Sequence, residues 1–185
     1  MGAIALLAAL CCALPAAADQ PLLRPTSDVD VLYRAVARGG AAIEQRVRWL
    51  AAAQTMRIDP PGRDLHVIVD YAARRMSVVQ DATRSVTEMA APNSVTDVLG
   101  GRPSAATYTR RGQATVAGRP CTEWQTQDRE AHPALICITP DGVMLRAGTP
   151  EEVRVSAVSV QYAPQDPAAF RIPPDYARRP AGAAR

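Results

Sequence analysis

The side chains that could catalyse a reaction in this chain of 185 residues match no catalytic motif. Its two histidines, His66 and His132, are the residues able to act as a general base near neutral pH. His66 falls in a predicted strand and His132 in a predicted hairpin turn, where both are expected to face solvent. The sequence contains no metalloprotease, serine-hydrolase, phosphate-loop or dinucleotide-binding motif. We therefore expect a non-enzymatic protein that uses neither a metal nor a cofactor.

The cysteines point to a disulfide rather than to a metal site or a redox centre. Cys121 and Cys137 lack the additional ligands at short spacing that a zinc site needs. In an exported protein, an even pair of cysteines of this kind indicates a structural disulfide. A hairpin centred at Arg129 places the two residues directly opposite each other, within bridging distance. We predict a Cys121–Cys137 disulfide.

The N-terminal residues 1–18 have the pattern of a signal peptide. The apolar run Ala3–Leu14 is too short to span a bilayer, and it is followed by Pro15 and three alanines. This pattern predicts cleavage after Ala18 and a periplasmic location, with no transmembrane span after cleavage. Two alternatives stay open: a lipid anchor through Cys11 or Cys12, and an uncleaved N-terminal anchor.

Composition limits the partners and the core. All 21 basic residues are arginine and 18 residues are acidic, so the net charge is only +3. That charge is too small and too dispersed to indicate nucleic-acid binding. Because aromatic residues make up only 4% of the chain, its core must rely on Val, Leu, Ile and Met. The length suits a single domain, which we place at residues 19–176.

Apolar residues alternate with polar ones from Ser27 onward, which predicts short antiparallel strands separated by turns. The stretch 94–99 breaks this pattern, since Ser94 and Asp97 resemble a helix start and glycines follow. A short helix is predicted there. The stretch Ala41–Ala53 is also rich in helix-forming residues, although alternation favours a strand over 43–50. The basic segment 177–185 is predicted to be a disordered tail.

Large apolar residues recur on one face of several predicted strands. They form either a filled core or the lining of an apolar ligand site on an incompletely filled sheet. The candidate lining residues are Val47, Trp49, Met56, Ile58, Val67, Met76, Val78, Trp124 and Ile136.

Three segments resemble the periplasmic lipoprotein-carrier superfamily (LolA/LolB type), namely Asp30–Arg34, Met56–Pro61 and Val67–Asp70. Two further segments, the hairpin Thr115–Trp124 and the closing Phe170–Tyr176, resemble uncharacterised exported members of the same architecture. The resemblance implies a mainly β fold: a strongly curved antiparallel sheet, or half-barrel, with one or two short capping helices. It also implies that Arg57 is a latch for the lid helices. The family's Asp-Gly turn is altered, because Tyr71 follows Asp70.

The resemblance and the apolar pattern together imply a periplasmic binding protein. The first hypothesis is that the concave face holds a lipid, an acyl chain or a segment of a lipidated protein. The alternative is a cell-envelope interaction module that engages a partner protein through a sheet edge or through the basic tail.

Overall fold

The computed structural model describes residues 20–36, 40–93, 97, 107–127 and 131–180. In this part of the chain twelve strands form one sheet. The strands are β1 (Val29–Val36), β2 (Ala42–Leu50), β3 (Thr55–Asp59), β4 (Leu65–Asp70), β5 (Arg75–Gln80), β6 (Ser85–Ala90), β7 (Thr109–Val116), β8 (Arg119–Gln127), β9 (Pro133–Ile138), β10 (Met144–Gly148), β11 (Val153–Gln161) and β12 (Ala177–Pro180). The predicted signal peptide and all of the predicted helix 94–99 except Asp97 lie outside these residues.

The sheet is built from two meanders that meet in its middle. Its strand order is β12-β6-β5-β4-β3-β2-β1-β11-β10-β9-β8-β7. All neighbouring strands are antiparallel except β12, which runs parallel to β6. The mainly β fold with one open, curved antiparallel sheet is therefore confirmed. No helix among the described residues is long and apolar enough to cross a membrane.

The segment that could have been a helix is a strand. Ala42–Leu50 forms β2, because its alternating side chains find partners on β1 and β3. Only the three alanines 51–53 form a short 3₁₀ turn. Gln54 ends that turn with a φ of 49°, which reverses the chain into β3. A second 3₁₀ turn covers Pro167–Phe170.

Bulges allow the centre of the sheet to curve. The register between β1 and β11 shifts at Leu32 and Tyr33, and further shifts occur where β10 meets β9 and β11. Such irregularities bend a strand and increase its twist. Tyr33 is buried at the bend, and its hydroxyl donates a hydrogen bond to the Met144 carbonyl. Burial raises the pKa of this hydroxyl above its usual value.

The prediction of a disordered tail from residue 177 was wrong for its first four residues. Ala177–Pro180 forms β12 and pairs with β6 from Ser85 to Glu88. Side chains also hold this segment, since Arg178 donates to Glu88 and Arg84 pairs with Asp175. We call residues 167–180 the C-terminal strap. Its Ile172 and Tyr176 pack on a small apolar cluster formed by Ile68, Val79 and Val86.

Candidate functional site

The register places all nine predicted apolar residues on one face of the sheet, here called the inner face. Directly facing pairs join β2 to β3 at Trp49 and Met56, and β8 to β9 at Trp124 and Ile136. Alternating side chains of one strand share a face, so these pairs fix the orientation of their neighbours. The remaining members follow through the pairs Val47–Ile58, Ile58–Val67, Val67–Val78 and Val69–Met76.

Most of the inner face is packed. Trp49 is 3% exposed and Met56 is 1% exposed, and both belong to the main core cluster. The cavity that these two residues share with Tyr33 and Val47 measures only about 10 Å³. A space of that size is at the lower limit for one water molecule. At this position, the inner face has no room for an acyl chain.

The N-terminal segment 20–28 helps to cover the packed region. Leu23 packs on the core cluster and Pro25 lines the small cavity. The Thr26 amide donates to the Asp141 carbonyl at 2.9 Å, which fixes this segment to the turn before β10. Gly142 allows the close approach, because its φ is +93° and a Cβ there would lie 2.2 Å from the Arg24 carbonyl oxygen.

The other end of the inner face is more open. Val67, Met76 and Val78, on β4 and β5, are only half-buried. Val67 and Met76 pack against the margin of the core cluster, whereas Val78 belongs to neither apolar cluster. The predicted lining therefore divides into six buried residues and three half-buried residues.

Arg57 lies on the opposite, outer face of the sheet. Its guanidinium donates to the Ala169 carbonyl of the C-terminal strap at 2.7 Å and to Asp59 at 2.8 Å. Burial alone would raise the pKa of Asp59, but hydrogen bonds from Arg48 and Arg57 outweigh it and hold the pKa below its usual value. In the described part of the chain, Arg57 therefore holds the C-terminal strap against the outer face of the sheet. A contact with segment 94–99 stays a prediction, because that segment lies mostly outside the described residues.

Cys121 and Cys137 form a disulfide between β8 and β9, with their Cα atoms 5.5 Å apart. The predicted register of this hairpin was wrong by two residues, because Cys137 faces Glu123 rather than Cys121. The cysteines are diagonal neighbours instead. Diagonal residues on one face of a strand pair still lie within reach of each other, so the bridge forms despite the shifted register.

His66 is buried on the outer face, although a solvent-facing position was expected. Its Nδ1 lies 3.1 Å from an Asp81 carboxylate oxygen, and the other oxygen of Asp81 accepts from the Tyr176 hydroxyl. Its Nε2 is buried and has no hydrogen-bond partner among the described residues. Burial, followed by the charge of Arg57, lowers the pKa of His66, and Asp81 opposes this shift only in part.

Folding stability should fall in acid because of His66. A lowered folded-state pKa means that the unfolded chain binds a proton at His66 more readily than the folded chain does. The stability from neutral His66 is present above the unfolded pKa of about 6.5 and is lost as pH falls through the folded value. We expect the thermal midpoint of His66→Gln to fall less than that of the wild type between about pH 7 and about pH 5.

The control for this prediction is Gln113→Ala, which changes an exposed side chain that does not titrate. This variant should keep the wild-type dependence of the thermal midpoint on pH. If the thermal midpoints of His66→Gln and the wild type fall equally between these pH values, the buried histidine does not cause the acid sensitivity.

Strand β7 forms one edge of the sheet, and only its last two residues, Thr115 and Val116, fall within the predicted hairpin. It has eight residues, of which Thr109, Arg110, Arg111, Gln113 and Thr115 are exposed. It pairs with β8 on one side, and no described strand pairs with its other side. Its sequence lacks regular apolar alternation, so hydrophobic periodicity could not reveal it. The signal that could have found it is the turn at Ala117 and Gly118, both with positive φ, directly before β8.

These features define a mainly β protein with one curved, largely filled sheet and one long edge strand that has no described strand partner on its outer side, and solved structures of a related fold exist. The chain is similar to an uncharacterized conserved protein from Thermus thermophilus, with a TM-score of 0.58, 12% identity, and coverage of 84% of this chain and 91% of that one. It is also similar to MucB, with a TM-score of 0.55, 13% identity, and coverage of 80% of this chain and 58% of MucB.

A further similar structure is the MucA/MucB complex of Pseudomonas aeruginosa, with a TM-score of 0.50 and 15% identity over 78% of this chain and 55% of that one. The chain therefore spans little more than half of the MucB chains it matches. At such low identities, the likeness shows a related β fold and nothing finer. No protein-family model matches the sequence, and no curated protein matches it.

Proposed function

We propose that this chain is a non-enzymatic periplasmic protein that binds an extended segment of an envelope protein along the free edge of β7. The observation that carries the proposal is the eight-residue edge strand without a described partner on its outer side. Such an edge presents unpaired amide and carbonyl groups, which an added strand can satisfy.

The geometry of β7 favours a short added strand. A bulge lies between Arg110 and Gly112, and the pairing with β8 is regular from Gly112 to Val116. A partner segment has a continuous five-residue stretch to pair with. The opposite edge is less suited, because β12 has only four residues and ends at Pro180, which has no amide hydrogen to donate.

The charge of β7 favours an acidic partner. Arg111 is exposed, and it donates to the uncharged Gln125 at 2.6 Å. A carboxylate on a bound segment would approach this guanidinium group and speed up encounter at low ionic strength. The proposal also agrees with a similar fold, since MucB has been solved together with MucA.

A photocrosslinking experiment tests where the partner binds. A photoreactive residue replaces Gln113, which is exposed on β7, in the full chain produced in the periplasm of the source bacterium. We expect irradiation to give a discrete adduct with another envelope protein. The additional change Arg111→Glu should lower the adduct yield several-fold, because it repels an acidic segment.

The matched control carries the same photoreactive residue at Gln80, which is exposed at the end of β5, away from β7. It should give no such adduct. Equal adducts from both positions, or a yield at Gln113 that Arg111→Glu leaves unchanged, would count against binding at β7.

A second candidate function is the binding of an apolar ligand, such as an acyl chain, at the open end of the inner face. The observation in its favour is the half-buried group Val67, Met76 and Val78, which leaves apolar surface accessible on two neighbouring strands. The packing around Met56 restricts this candidate to a small ligand or a short part of a chain.

A further inference from the structure

We propose that the outer face carries a second binding site, for a phosphate ester, in a pocket beneath the C-terminal strap. The pocket has a volume of about 270 Å³. It lies between β3, β4 and β5 on one side and the strap on the other, and we call it the strap pocket. Its lining residues are Thr55, Ile68, Asp70, Arg75, Ser77, Phe170, Arg171, Ile172 and Arg178.

The pocket belongs to the outer face. Asp70 pairs with Thr55 and with Arg75, and Ile68 pairs with Ser77, so these side chains share one face of the sheet. Arg57 faces Ile68 from the neighbouring strand and holds the strap through the Ala169 carbonyl. The pocket is therefore separate both from the inner face and from the β7 edge.

Arginine outnumbers the carboxylates around the pocket. Arg75 and Arg178 share a single carboxylate, that of Glu88, at 3.8 Å and 2.6 Å. Arg171 is exposed and forms no ion pair within the described part of the chain. Asp70 is the one acidic residue in the lining, and its carboxylate accepts from the Ala73 amide at 2.8 Å. Three arginines therefore line the pocket, and one of them, Arg171, has no carboxylate partner in the described part of the chain.

A buried hydroxyl adds a directional donor. Ser77 is only 2% exposed, and it lines the pocket. Its hydroxyl is a donor that an oxyanion in the pocket can use.

The combination of arginines and apolar side chains in the lining favours a phosphate ester over a simple anion. Guanidinium forks match phosphate oxygens in pairs, and phosphate monoesters and diesters are both negatively charged at neutral pH. Ile68, Phe170 and Ile172 supply an apolar wall that suits the carbon portion of an ester. The volume lies just below the usual range for ligand pockets, so the bound part is small, such as a glycerol phosphate group. That group could come from a soluble metabolite or from a phospholipid headgroup.

The test uses the full mature chain and two probes. Glycerol phosphate is titrated calorimetrically at low ionic strength, and vesicles of phosphatidylcholine with or without phosphatidylglycerol are tested by co-sedimentation. We expect saturable binding of glycerol phosphate if the source is soluble, and binding only to the phosphatidylglycerol vesicles if the source is a lipid. The double variant Arg75→Gln/Arg171→Gln should weaken the observed binding at least tenfold.

Arg63→Gln is the matched control, since Arg63 is an exposed arginine in the turn before β4 and outside the pocket. It should bind like the wild type. Circular dichroism and the thermal midpoint establish that each variant is folded. The proposal is overturned if neither probe binds, or if the double variant and the Arg63 control bind equally well. Neither result bears on the β7 edge, which the crosslinking experiment tests separately.

Discussion

Replacing Met56 by alanine should lower the free energy of unfolding by about 2–5 kcal/mol, as is usual for a large-to-small change in a well-packed core. Met56 is 1% exposed and lies between Trp49 and Val69 in the middle of the inner face. Since its surroundings leave a cavity of only about 10 Å³, the truncation creates new empty space that the neighbouring side chains cannot fill. Urea unfolding, followed by tryptophan fluorescence, measures the loss.

Met76→Ala is the matched control, because it makes the same chemical change at the half-buried end of the same face. Met76 buries less apolar area than Met56 does, so the decrease in the free energy of unfolding should be about half as large or smaller. Equal losses at the two positions would show that the inner face is packed uniformly. That outcome would also remove the structural basis for an apolar ligand site at the β4–β5 end.

Removing the disulfide by the double change Cys121→Ala/Cys137→Ala should lower the free energy of unfolding by about 3 kcal/mol. The bridge closes a loop with a sequence separation of 16, and its main effect is to restrict the unfolded chain. Both cysteines are buried, at 3% and 1% exposed, so the loss of packing adds to the effect. Thermal and urea unfolding of the variant and the wild type measure the difference.

Peptide mapping without reductant provides the control for this experiment. A linked peptide pair containing Cys121 and Cys137 should be found in protein produced in the periplasm. Free thiols at both positions would contradict the bridge. An unchanged unfolding midpoint in the double variant would contradict a stabilising role of the disulfide.

Alternation of apolar and polar residues predicted the inner face well. Val47 and Trp49 alternate with arginines, and Met56 and Ile58 alternate with polar or charged residues, so the strand period alone assigned all four to one side. The facing pairs of β2 and β3 confirm this assignment. What alternation could not predict is how fully each residue is buried, because the segment that covers Trp49 and Met56 comes from residues 20–28, far away in the sequence.

The register of the β8–β9 hairpin shows a second limit. The symmetric arrangement of Cys121 and Cys137 about Arg129 favoured directly opposed cysteines, yet Trp124 faces Ile136 and Cys137 faces Glu123. A shift of two residues keeps every side chain on its own face, so the apolar pattern cannot distinguish the two registers.

The sheet edges were the least predictable elements. Strand β7 carries two arginines, a glycine and a glutamine, and β12 was assigned to a disordered tail because of its arginines. Both strands form through backbone pairing with a neighbour, and Arg178 of β12 finds its acidic partner only in the folded sheet. Edge strands need no buried face of their own, so hydrophobic patterns carry little information about them.

Amide hydrogen exchange, followed by mass spectrometry, tests the central claim most directly. The experiment compares two samples: the free protein, and the protein bound to the partner that crosslinking at position Gln113 identifies. Binding along the edge should slow exchange in Thr109–Val116 and leave Leu65–Gln80 unchanged. Unchanged exchange in Thr109–Val116, together with slower exchange in β4 and β5, would contradict edge binding and place the partner at the open end of the inner face.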